Sequence, residues 1–238
     1  MRLKVVRGGV TLRVLVALTL CLPIAGCELF GFHDWEWRQK LTVSVMTPEG
    51  LKTGSAVVSV NVYDRPSWWG LGDFRGAGAS SLSGEAVTVD LGNGRYLFAL
   101  LSNYSHETAR ETFIPKEEQP RTKAEVIAVY DRLEKMRSSR ELAREYYPSL
   151  VTFDDINDPT TLRRVDPGEL SASFGHGYRL NAITLSITDE PVTEGRVEKL
   201  LGWLKERAVM ENPGWSNLPL ESRRAISELL SHFPSLTN

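Results

Sequence analysis

Residues 178–189 read YRLNAITLSITD. Ile183, Leu185 and Ile187 alternate with Thr184, Ser186 and Thr188, so the apolar side chains fall on one face of a strand and the hydroxyls on the other. This is the clearest strand pattern in the chain, and what surrounds it sets the fold class. Upstream, Leu41, Val43 and Val45 alternate with Thr42 and Ser44, and Ala56, Val58, Val60 and Val62 alternate with Val57, Ser59 and Asn61. The turn-rich TPEGLKTG between them predicts a hairpin with one buried face. A second hairpin is expected where Val87, Val89 and Leu91 lead through GNG into RYLFALLS. Asn-Gly suits the turn whose twist matches paired strands. The second strand is apolar on both faces, which places it in the centre of a sheet. Leu150 to Phe153 forms a short further strand.

Helical periodicity comes later. Over Arg121 to Leu142, Val126, Tyr130 and Leu133 share one side and charged residues cover the rest. Asp166 and Pro167 open a short helix that runs to Phe174 and is ended by Gly175-His176-Gly177. Thr193 caps a helix with Val197, Leu200, Leu201 and Leu204 on one stripe, and a last helix, about 220–233, aligns Ile226, Leu229, Leu230 and Phe233. Residues 64–84, 103–120 and 154–165 read as loops. Hairpins first and helices afterwards predict an α+β fold: antiparallel hairpins forming a sheet or small sandwich, with amphipathic helices packed against it from the C-terminal half.

The N-terminus has a different logic. Arg2, Lys4, Arg7 and Arg13 are followed by the apolar run Val14 to Leu22, and no acid precedes Glu28. A basic start, a short apolar core and a small-residue exit describe a secretory signal peptide. A spanning helix needs about 20 apolar residues, more than this run supplies. The segment ends in Ile24-Ala25-Gly26-Cys27, which resembles the lipobox of bacterial lipoproteins. The resemblance implies cleavage between Gly26 and Cys27, a diacylglyceryl group on the Cys27 thiol, and acylation of the new amino group with a chain such as palmitate. Each buried methylene contributes about 0.8 kcal/mol, so two or three chains hold a protein firmly where one does not. Cleavage without lipidation, or retention as an uncleaved anchor, are the alternatives.

On the lipobox reading the chain divides into a leader, 1–26, a lipidated tether, 27–39, and a single α+β domain, 40–238, β-rich over 40–102 and mixed over 103–238. It would face the periplasm from a bacterial cell membrane, inner or outer. Trp35 and Trp37 in the tether would sit at the lipid interface or pack as a strand on the core. Removing residues 1–26 leaves 212 residues, enough for one large domain. It also removes four basic side chains, so the net charge moves from −2 to −6. An acidic chain points away from nucleic acid and from electrostatic adhesion to anionic lipid. Of two cysteines, Cys21 leaves with the leader and Cys27 carries lipid, so disulfides, thiol chemistry and cysteine-bound zinc are excluded.

LTVSVMTPEG (41–50) and the stretch from VTFDDINDP to KLLGWL (151–204) together resemble a family of uncharacterised proteobacterial proteins. That resemblance implies a bacterial, exported domain and transfers no functional residue.

Candidate chemistry is sparse. Asp154, Asp155, Asn157 and Asp158 place four oxygen-bearing side chains within five residues, a composition calcium accepts. The EF-hand spacing and its glycine are missing. A turn capped by its own aspartates and paired with Arg163 and Arg164 is the competing reading. His176, between two glycines, could act as a general base oriented by Asp155 or Asp158, or could simply mark a turn. His33, His106 and His232 form no metal pattern with it, and no nucleophile or phosphate-loop motif occurs. No cofactor is expected. Trp68 and Trp69 are adjacent, so they cannot both face one core, and at least one is available as an anchor for an envelope protein partner. The expected role is a non-catalytic interaction or structural module on the membrane. The alternative is a hydrolase or calcium-binding protein built on the acidic loop with His176.

Overall fold

The computed structural model describes residues 30–70, 78–101, 104–205 and 218–231. Gly26, Cys27 and the whole leader lie outside them, as does His232. Two compact units are distinguished: residues up to Asp34 together with Val62–Ala79, and Trp35–Asn61 together with Ser80 onward.

The fold is α+β, with two antiparallel sheets. One has five strands: β1 (His33–Thr47), β2 (Gly50–Asp64), β3 (Ala79–Ser83), β6 (Ser138–Glu141) and β9 (Arg179–Thr188), in the order β3-β2-β1-β9-β6. The other has four: β4 (Val87–Gly92), β5 (Arg95–Ala99), β7 (Leu150–Phe153) and β8 (Leu162–Val165), in the order β4-β5-β7-β8. The helices are α1 (His106–Phe113), α2 (Lys123–Lys135), α3 (Leu170–Phe174), α4 (Arg196–Leu200) and α5 (Leu220–Ser231).

The strand read first, β9, lies between β1 and β6. Val43 pairs with Ile183, Leu41 with Leu185 and Gln39 with Ile187. The apolar members of each pair are buried, so the period-two pattern is satisfied from both sides of the register. β1 begins at His33, not at Lys40, so residues 33–39 of the expected tether are sheet. Trp35, Trp37, Gln39, Leu41, Val43 and Val45 form one unbroken inward row. The polar Gln39 hides the first half of that row from a sequence reading. It is fully buried and accepts a hydrogen bond from Trp37 Nε1 at 3.2 Å.

The β4–β5 hairpin turns through Asn93 and Gly94, both at positive φ (55° and 72°), as Asn-Gly requires. β5 is central, between β4 and β7, and Leu97, Phe98 and Ala99 are all buried. One face of this sheet, with Phe98, Val151, Phe153 and Leu162, packs under α4 and α5 through Val197, Leu201, Ala225, Ile226 and Leu229. The other sheet approaches this one closely: a Cβ on Gly54 of β2 would stand 2.0 Å from the Thr88 carbonyl oxygen of β4, so only glycine fits there.

Several boundaries differ from the sequence reading. The helix expected over 121–142 stops at Lys135. Ser138–Glu141 instead pairs with β9 as an edge strand, charged and exposed as unpaired edges usually are. Arg137 donates to the carbonyls of Glu134, in the last turn of the helix, and of Met136, just past its end. Residues 106–113, read as loop, form α1, capped by Ser105, which exchanges hydrogen bonds with Thr108 in a capping box. Residues 162–165, also read as loop, are β8. The last helix buries Ile226 and Leu229 of the expected row; the Leu230 side chain and Phe233 lie outside what the structure describes.

Candidate functional site

The acidic turn between β7 and β8 is closed on itself. Asp154 accepts from Arg163 Nε at 2.8 Å and Nη2 at 2.6 Å. Asp155 accepts from the Asn157 backbone and side chain at 2.9 and 3.2 Å. Asp158 accepts from Thr160 N at 2.8 Å and Thr160 Oγ1 at 2.6 Å, and these bonds hold its carboxyl below the ordinary carboxylate range. Thr161 Oγ1 meets the Asp155 and Asp158 carbonyls, and Trp203 Nε1 donates to the Ile156 carbonyl at 2.8 Å. One carboxylate oxygen of each of the three aspartates is engaged in shaping the loop. Among the described residues no group of three or more His, Cys, Asp or Glu is arranged to hold a metal ion.

His176 is exposed at the turn from α3 into β9. Gly175 and Gly177 take positive φ (98° and 90°), and a Cβ on Gly177 would lie 2.9 Å from Pro48 Cγ, which explains the glycines without a substrate. Among the described residues, no hydrogen bond or ion pair joins His176 to Asp154, Asp155 or Asp158. The group that organises this turn is Arg95, which the sequence reading did not single out. Its Nη1 donates to the Phe174 carbonyl at 3.0 Å and its Nη2 to Tyr178 Oη at 2.7 Å, tying β5 to the entrance of β9.

A polar cleft of about 350 Å³ is lined by Glu36, Trp37, Arg38, Glu134, Arg137, Thr188 and Asp189. Arg137 grips Asp189 through Nε and Nη2 and holds that carboxyl below its ordinary range, while Arg38 Nη1 donates to the Asp189 carbonyl at 3.1 Å. Glu134 accepts from the Glu36 backbone at 3.1 Å. Small-molecule sites are mostly apolar with a few aimed polar groups, and this notch is the reverse.

Beneath it lies an aromatic cluster centred on Tyr130 of α2. Trp35 packs at 5.1 Å, Trp37 stacks at 6.1 Å with planes 21° apart, and His106 of α1 lies at 5.9 Å. Trp35 Nε1 donates to Asp131 Oδ1 at 2.7 Å. Burial pushes the Tyr130 hydroxyl up and the His106 imidazole down from their ordinary values. Trp35 and Trp37 are 4% and 3% exposed, so of the two readings the strand packed on the core holds, and the pair fixes α2 to the sheet.

The other tryptophan pair has the opposite fate. Within the smaller unit, Trp68 and Trp69 are 58% and 52% exposed, although adjacent residues needed only one of them to be so. They meet each other edge-to-face at 6.0 Å, and both meet the edge of Phe32, at 5.4 and 5.1 Å. Trp69 N closes a turn on the Pro66 carbonyl at 2.9 Å. Arg65 lies over the rings of Phe32 and Tyr63, at 5.7 and 4.8 Å, and pairs with Asp34 at 2.8 Å. Phe30, two residues before Phe32, is 63% exposed. Phe32 carried no signal of its own in the sequence; its position, five residues beyond Cys27, is what gives it weight. No helix among the described residues is long and apolar enough to cross a membrane.

No protein-family model, curated protein sequence or solved structure matches the chain.

Proposed function

We propose that this chain is an envelope lipoprotein: a non-catalytic interaction or structural module, held by acyl chains on Cys27 to a bacterial membrane and facing the periplasm. The observation that carries the proposal is the Ile24-Ala25-Gly26-Cys27 sequence at the end of a short apolar run, followed within a few residues by an exposed aromatic surface. The acidic turn, bonded to its own backbone and to Arg163, and the Arg137–Asp189 pair of the polar cleft support a non-catalytic role over a hydrolase. Trp68 and Trp69 form its contact face.

Metabolic labelling with palmitate tests this reading. The full chain is expected to incorporate label and fractionate with membranes, and Cys27→Ala is expected to lose the label. Equal labelling of the two proteins, or label in neither, contradicts the proposal.

A further inference from the structure

The exposed aromatic cluster has an identifiable neighbour. Phe30 follows Cys27 by three residues, and a fully extended chain spans at most about 3.6 Å per residue. Phe30 therefore lies within about 11 Å of the residue that carries the acyl chains, and Phe32 within about 18 Å. The headgroup layer on each side of a bilayer is about 5–8 Å deep. So short a connection keeps these residues close enough to the anchor to reach the headgroup layer. Phe32 in turn holds Trp68 and Trp69 by edge-to-face contact.

Resting on the lipid-anchor reading, we propose that Phe30, Phe32, Trp68 and Trp69 form an interfacial foot that inserts among the phospholipid headgroups around the anchor. Tryptophan suits this layer because its ring is amphipathic, with an apolar body and one N–H donor. Charge points the same way. The processed chain is acidic, and Arg65, the cation that lies over Phe32, is already paired with Asp34, so aromatic insertion and not attraction to anionic lipid supplies the contact. A protein partner on these residues would have to compete with the adjoining headgroups for them. The foot also gives the chain a second attachment beside the acyl chains.

The test uses the lipidated protein reconstituted in phosphatidylethanolamine/phosphatidylglycerol vesicles whose acyl chains carry bromine, a contact quencher of indole fluorescence. Wild-type protein is compared with the Trp68→Phe/Trp69→Phe double variant, which keeps the apolar surface. The wild type is expected to float with the vesicles and to be quenched, and most of that quenching is expected to be lost in the variant. Flotation with equal quenching in both proteins overturns the foot and leaves the anchor standing. Failure of the wild type to float overturns the anchor. In cells, a photoreactive benzoylphenylalanine in place of Trp69 is expected to yield phospholipid adducts; a discrete protein adduct in their place overturns the inference in favour of a protein partner.

Discussion

Two tryptophan pairs, about thirty residues apart in sequence, divide the molecule. Trp35 and Trp37 occur in an acidic, aperiodic stretch that fits either lipid contact or a packed strand; they are buried, bonded through Nε1 to Asp131 and Gln39, and packed on Tyr130. Trp68 and Trp69 occur in a glycine-rich loop and touch mainly each other and Phe32. Spacing explains the difference. Residues 35 and 37 are two apart on a strand, so both face one side, whereas 68 and 69 are consecutive and satisfy no single face. The buried pair contributes to stability, and the exposed pair is left for contact.

Breaking the buried pair should have the largest effect. Trp37→Ala removes a stacked ring from a close-packed layer and is expected to cost about 3–5 kcal/mol in chemical denaturation. A loss below about 1 kcal/mol would mean the ring is not part of the core. Trp37→Phe isolates the hydrogen bond. It keeps most of the packing but leaves the buried Gln39 carbonyl without its donor, for an expected loss of about 1–3 kcal/mol. No loss would show that Gln39 finds another partner or reaches water.

The same layer should respond to pH. Burial lowers the His106 pKa from its ordinary 6.5, with Arg110 acting in the same direction and Glu107 against it. The unfolded chain therefore takes up its proton first as pH falls. The contribution is whole above 6.5 and declines as pH drops from there through the lowered folded value. Stability measured at pH 7.5 and 5.5 should fall on acidification, and His106→Gln should flatten that slope. An unchanged slope would remove His106 from the account.

Breaking the exposed pair should cost least. Trp68→Ala and Trp69→Ala are each expected to change stability by no more than about 0.5 kcal/mol, because neither ring is buried. A cost approaching that of Trp37→Ala would collapse the distinction between the pairs.

The same contrast shows what a reader of the sequence can recover. The alternation in Ile183, Leu185 and Ile187, the Asn93-Gly94 turn and the doubly apolar β5 are local patterns, and each leads to the element observed. Residues 33–39 were hidden because one glutamine interrupts the apolar row, and its partner can be identified only once the strand exists. β6 and β8 were hidden because Ser138–Glu141 forms a charged edge and Arg163 and Arg164 lie between the buried Leu162 and Val165. At the candidate sites, the Asp154–Arg163 pair spans nine residues and was legible. Arg95 with Tyr178 spans 83 and was not, nor was Phe32 with Trp68, because such contacts are created by the tertiary fold.

Intact-mass analysis of the protein extracted from native membranes tests the central claim most directly. The account predicts a polypeptide that begins at Cys27 and carries the added mass of a diacylglyceryl group, with or without a further acyl chain. A chain that retains residues 1–26, or one trimmed at Cys27 with an unmodified thiol, would contradict it.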